Sequence, residues 1–176
     1  MPKATAIEPA VDDPLMTRVS LDYEELFYPY GFPARIRSNS ALTLQAAEIS
    51  YRASRQKLEA SPLDVRVLVA ESPSAARTEP PIFRSQGRLR TLVVDAENFA
   101  GLDLDTGFGF GWITRATAEN LDYFRRNFLD VMICCLLDAK HLANGHSPGM
   151  RGDGTASRTC PSTQVSQLDE PAPWFG

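Results

Sequence analysis

The chain has 176 residues, of which 43% are hydrophobic and 23% charged, with a formal net charge of −4. That balance suits one globular domain with a core of its own rather than a disordered or fibrous chain. No run approaches the roughly 20 apolar residues of a membrane-spanning helix, and MPKATAIEPAVDDP at the N-terminus has acids and prolines where a signal peptide has its apolar stretch, so a cytoplasmic, membrane-free setting is expected.

Residues 1–18 have no sustained hydrophobic period and read as a flexible N-terminal segment. An α+β domain is expected over 19–143. Its first stretch, LDYEELFYPYGFPARIRSN, gathers Phe27, Tyr28, Tyr30 and Phe32 around Pro29, Gly31 and Pro33, the pattern of an anchored loop feeding a short strand, Ala34–Arg37. Asn39 or Ser40 then caps a helix to about residue 58, with Leu42, Ala46, Ile49 and Ala53 on one face. In DVRVLVAE, Val65, Val67 and Val69 alternate as in a strand, and SPSAARTEPP is a loop.

From Ile82 to Thr114 the chain reads as a meander of IFRSQ, RLRTLVVDA, NFAGLDLD and FGFGWIT. The turns fall at Gln86-Gly87, Ala96-Glu97-Asn98 and Asp105-Thr106-Gly107. In the last strand Gly107, Gly109 and Gly111 alternate with Phe108, Phe110 and Trp112, so one face is bare backbone, inviting close packing, and the other is aromatic. The strongest helical period follows, with Leu121, Phe124, Phe128, Met132, Cys135 and Ala139 at three- and four-residue steps. The fold class is therefore α+β, with a mixed or antiparallel sheet, a strand meander and two main helices. Residues 144–176 hold five of the eleven glycines and four of the thirteen prolines among sparse apolar residues, and read as a disordered tail.

Charge is uneven: residues 31–90 carry ten Lys/Arg against five Asp/Glu, and 91–143 carry four against eight. Basic clusters are where nucleic-acid binding begins. Here the arginines (Arg35, Arg37, Arg52, Arg55, Arg66, Arg77, Arg84, Arg88, Arg90) and Lys57 are scattered over several elements with no interleaved aromatics, so the reading is a solvated face without nucleic acid.

Several stretches invite a chemical reading. A phosphate-binding loop needs G-x-x-x-x-G-K-[ST], whose lysine and hydroxyl serve the terminal phosphates and Mg²⁺. In GMRGDGTASRT, Gly149 and Gly154 have that separation, but Thr155 and Ala156 stand at the lysine and hydroxyl positions, and no strand leads in. Asp103 and Asp105 sit two apart as in a calcium loop, yet Gly107 comes one residue early and no closing Glu follows, so they read as an Asp-Thr-Gly turn. The histidines are His141 and His146, and the spacing of six or seven residues from the Cys134-Cys135 pair to His141 matches no zinc pattern. Cys135 falls on the helix's apolar stripe, and with Cys160 the three cysteines form no disulfide framework, so reduced structural thiols are expected in place of a Cys–His pair.

Taken together, LFYPYGFPARIRSNS (26–40), LVVDAENFAGLDLDTGFGFGWIT (92–114) and YFRRNFLDVMICCLLDAKHLANGH (123–146) resemble the region before the P-loop in bacterial HPr serine kinase-like (HprK-related) proteins. In that family the long helix precedes a histidine-containing segment, a strand and an ATP-binding P-loop. The resemblance implies phosphoryl transfer from ATP, with Mg²⁺, to a protein or small-molecule hydroxyl. This chain departs after His146, where SPGMRGDGTASRTCPSTQVSQLDEPAPWFG replaces the GKS or GKT loop. No catalytic, cofactor-binding or metal residue of the family finds a matching position, so none is assigned. The expectation is a non-catalytic accessory or recognition domain of a truncated or frame-shifted HPr serine kinase-like protein whose tail is read out of frame. Two alternatives stand beside it: an active ATP-dependent kinase-like enzyme with a diverged nucleotide site, and a small cytoplasmic protein-interaction module using the face of Phe108, Phe110 and Trp112. The partner is an unknown protein or a second copy. If the helix 120–142 packs on a kinase domain in the parent, truncation would expose Phe128, Met132 or Leu136 and drive self-association.

Overall fold

The computed structural model describes residues 19–76 and 78–143, apart from the side chains of 141–143. The expected segments 1–18 and 144–176, and with them Gly149, Gly154, His146 and Cys160, lie outside the described residues, as do Arg77 and the His141 side chain. The fold is α+β: a mixed seven-stranded sheet in the order β1-β2-β3-β7-β6-β5-β4, with helices packed on one face. Its strands are β1 Tyr23–Phe27, β2 Ala34–Ser38, β3 Leu63–Ala70, β4 Ile82–Gln86, β5 Leu89–Val93, β6 Phe99–Asp103 and β7 Phe108–Thr114. The helices are α1 Ala41–Tyr51, α2 Arg115–Glu119, α3 Leu121–Phe124 and α4 Asp130–Ala143.

β2, β3 and β7 run parallel, and α1 makes the crossover from β2 to β3. β4 to β7 form the antiparallel meander, and β1 adds antiparallel to β2. Alternation assigns the faces. Ala34 and Ile36 of β2, Leu63, Val65, Val67 and Val69 of β3, Ala100 and Leu102 of β6 and Ile113 of β7 are buried beneath the helices. Burying each Val, Leu, Ile or Phe side chain contributes about 1.5–3 kcal/mol, so this row and its helical partners supply the core.

Gly109 and Gly111 lie on this same covered face. A Cβ on Gly109 would stand 2.8 Å from Leu102 Cδ2, 3.3 Å from Met132 Cε and 3.4 Å from Leu136 Cδ1. The bare backbone lets α4 settle directly onto β7. Phe128, Met132 and Leu136 are consequently buried in this domain's own core, which overturns the expectation that they form an exposed helix surface.

Three further expectations are corrected. LDYEELFYPYG is not all loop: Tyr23–Phe27 forms β1, an edge strand whose first four residues are exposed, so no alternating apolar pattern marks it. α1 stops at Tyr51 instead of residue 58. Ser40 caps it, accepting from Leu42 N–H at 3.4 Å, but the chain beyond is drawn away because Lys57 and Leu58 donate their backbone N–H groups to the Gly31 carbonyl at 2.9 and 3.1 Å. The buried face of α1 is Thr43, Ala46, Ala47 and Tyr51, while Ile49 is 61% exposed. The helical signal of 120–142 contains a π-turn, Arg125–Leu129, where Asp130 N–H donates to the Arg125 carbonyl.

Side chains tie the sheet's upper end together. Asn39 extends the β2–β3 ladder, its amide donating to Val69 O at 2.9 Å and accepting from Val69 N–H at 2.8 Å. Buried Asn98, at the entrance to β6, accepts from Thr114 N–H at 3.0 Å and its hydroxyl at 3.2 Å. Thr114 in turn caps α2.

Replacing Gly109 by valine should destabilise the fold by about 1–3 kcal/mol through overpacking beneath α4. Urea unfolding measures this as a lower midpoint with an unchanged slope; an unaltered midpoint would mean α4 does not sit this close.

Candidate functional site

The sheet face opposite the helices carries no helix among the described residues. On β7 it presents Phe108, Phe110 and Trp112, all half-buried. Register places Phe99 of β6 beside Trp112, Gly101 beside Phe110, and Leu68 of β3 on the other side of Trp112. Phe108 and Phe110 have ring centroids 6.4 Å apart with planes inclined by 30°, and Phe99 meets Phe110 edge-on at 6.4 Å. Gly101 gives Phe110 its seat: a Cβ there would lie 2.6 Å from the ring. Phe99, Phe108 and Phe110 thus pack on one another, and Trp112, paired with Phe99 in the register, completes the platform.

Arginines border the platform. The parallel register of β2 and β3 brings Arg37 beside Arg66 and Arg35 beside Asp64. Arg37 Nη2 donates to both Asp64 carboxylate oxygens at 2.7 Å, and Arg66 Nη2 donates to Oδ2 at 3.0 Å. The Arg66 guanidinium also lies over the Phe108 ring, 5.1 Å from its centroid, a cation–π contact that joins the charged and aromatic parts. Partial burial of Asp64 opposes its ionisation, yet the hydrogen bonds and charges of Arg37 and Arg66 prevail and hold the carboxyl below the usual carboxylate range. The triad carries a net single positive charge. At its margin Arg35 pairs with Glu24 at 3.3 Å in the open.

The absence of interleaved aromatics along residues 31–90 therefore describes the chain and not the surface. Strand pairing sets Phe108 and Phe110 beside Asp64 and Arg66 across β3 and β7. Sequence reasoning found the aromatic half of this face from the alternation in FGFGWIT. It missed Arg37, Asp64 and Arg66 as a unit, because a parallel pairing across α1 leaves no local spacing to read.

The other residues considered from sequence lie elsewhere. Asp103 and Asp105 belong to the β6–β7 turn: Gly107 N–H donates to Asp103 O at 3.0 Å, Gly107 takes φ +73°, and Lys140 Nζ reaches Asp105 O at 2.8 Å. Arg88 stands 3.8 and 3.9 Å from their carboxylates. Among the described residues no three His, Cys, Asp or Glu side chains gather as metal ligands. Cys135 is buried in the core, while the Cys134 sulfur lies 3.9 Å from the Tyr30 hydroxyl.

A second polar cluster, unforeseen in the sequence, joins α1 to α4. Asp130 accepts from Tyr51 hydroxyl at 2.5 Å and from Ser50 hydroxyl at 2.8 Å, and Arg125 Nη1 donates to its other oxygen at 3.4 Å. Burial and the Asp130 charge push the Tyr51 hydroxyl far above the usual phenol range, so it remains a donor. The carboxylate is on the first residue of α4 and its hydroxyl partners belong to α1, which makes the cluster a clamp between the two helices.

No family model matches this chain, and neither a curated protein nor a solved structure matches it.

Asp64 has a lowered folded pKa, so its stabilising contribution is complete above the unfolded aspartate value of about 3.9 and is lost as pH falls through the folded value. Urea unfolding of wild type and Asp64→Asn should differ most above about pH 5 and converge progressively as the pH falls through the folded value. A difference independent of pH would show that the carboxylate is not held by the arginines.

Proposed function

We propose that the domain is a non-catalytic recognition module of the HPr serine kinase-like type, and that it engages a protein partner through the open sheet face. The observation that carries this reading is the platform of Phe99, Phe108, Phe110 and Trp112 bordered by the Arg37–Asp64–Arg66 triad. Aromatic and arginine side chains are the residue types that dominate the energy of protein interfaces. A preorganised platform also loses little side-chain freedom on binding, since its rings and guanidinium groups are already held.

The three stretches that carry the family resemblance lie in one domain. The first spans the end of β1, all of β2 and the cap of α1; the second forms the meander from within β5 through β7; the third, over its described residues 123–143, covers the end of α3, the π-turn and α4. Such a domain presents a face to a catalytic unit or its protein substrate and contributes no group to phosphoryl transfer.

The test has two arms. Calorimetric titration with Mg-ATP should give no binding heat, whereas a kinase with a diverged nucleotide site binds it. The P-loop domain of an HPr serine kinase-like protein, supplied as a separate chain, should bind, and Phe110→Ala with Trp112→Ala should weaken that binding at least about tenfold, the loss of one hot-spot contact. Binding of Mg-ATP, or undiminished affinity of the double variant, would overturn the reading.

A further inference from the structure

The two edges of the sheet are chemically opposite. β1 forms one edge and β4 the other, and among the described residues neither has an outer neighbour. In β1 residues Tyr23–Leu26 are exposed, with Glu24 and Glu25 at the centre and Asp22, also exposed, immediately before. Every residue of β4 is exposed, with Arg84 at its centre, and β4 and β5 together contain no acidic residue. Each edge also shows apolar area to solvent: Tyr23 is 42% and Leu26 41% exposed on one, Ile82 63% and Phe83 40% on the other.

Unpaired edges are templates for a further strand, and charges on them decide which strand is admitted. Like edges oppose one another. Two β4 strands paired antiparallel about their centres place Arg84 opposite Arg84, and two β1 strands so paired place Glu25 opposite Glu25, each a destabilising like-charge contact. Unlike edges match. Both β1 and β4 run antiparallel to the central β3 and β7. A second copy displaced along the sheet therefore brings its β1 parallel to β4 of the first with the helices on the same side.

One register satisfies both faces together. Phe83 and Tyr23 both lie on the helix-covered side, since they pair with buried Leu92 and Ser38. Arg84 and Glu24 both lie on the open side, pairing with Thr91 and Arg37. Setting Phe83 beside Tyr23 sets Arg84 beside Glu24 and Ser85 beside Glu25. The existing Glu24–Arg35 pair is half-exposed on both sides, which leaves the carboxylate able to accept a second guanidinium.

We infer that a second copy of this chain is the partner of the sheet edges, with β1 of one copy adding to β4 of the next in a head-to-tail contact. The contact is heterologous, so it does not close at two copies. It uses residues other than the aromatic platform and the Arg37–Asp64–Arg66 triad proposed to bind a partner on the open face.

Sedimentation velocity of the full chain, followed over rising concentration, should show a weight-average mass that passes beyond a dimer at low salt. It should fall back toward the monomer at about 1 M salt, where the screening length is about 3 Å. Arg84→Glu makes both edges acidic, and Glu24→Lys with Glu25→Lys makes both basic, so each variant alone should remain monomeric. An equimolar mixture of the two should recover assembly, because each variant then meets an edge of opposite sign, and this recovery also shows that both are folded. A saturating dimer, undiminished assembly by either variant alone, or no recovery on mixing would each overturn the inference.

Discussion

The close seating of α4 on the glycines of β7 is the constraint on which the rest of the molecule depends. A strand in the middle of a sheet ordinarily meets its covering helix through two layers of side chains. Here one layer is missing at Gly109 and Gly111: a Cβ on Gly109 would crowd Leu102, Met132 and Leu136, and one on Gly111 would touch Met132 at 3.7 Å. The helix is held near the backbone, and Leu102 and Val67 from the flanking strands close around the contact. Lys140 extends the same seating to the end of the helix by reaching the carbonyl of the β6–β7 turn.

Because residues on a strand alternate, the same seven positions that provide bare backbone on one side must place their side chains on the other. Phe108, Phe110 and Trp112 are therefore displayed together where no helix of the described domain lies. The central strand is both the floor of the core and the crest of the open face. The arginines take part in this division as well, since Ile36 and Val65 of β2 and β3 point into the core while Arg35, Arg37, Asp64 and Arg66 point away.

Much of this was legible in the sequence where the signal is local. The meander segments IFRSQ and FGFGWIT match β4 and β7 in their limits, and the Gly87 turn between β4 and β5 needs the positive φ of +57° that glycine supplies. The core stripe of Phe124, Phe128, Met132 and Cys135 was equally plain. What escaped depends on partners distant along the chain. β1 is a strand only because β2 lies beside it, and α1 ends early because Gly31 offers its carbonyl to Lys57 and Leu58. The Arg37–Asp64–Arg66 triad arises from a parallel register that a helix separates in sequence. Glu24 and Arg84, which characterise the two edges, look like ordinary surface charges until the strand order is known.

The π-turn at Arg125–Leu129 has a consequence for how the helical layer was assembled. One surplus residue in a helix turns everything before it by about 100° relative to everything after it. Phe124 before that offset, Phe128 within it, and Met132 and Leu136 after it all enter the core, while Asp130, the first residue beyond it, reaches Tyr51. The extra residue works as a phase shifter: it lets two helical segments with different angular settings share one continuous rod, and the rod can satisfy α1 and β7 at once.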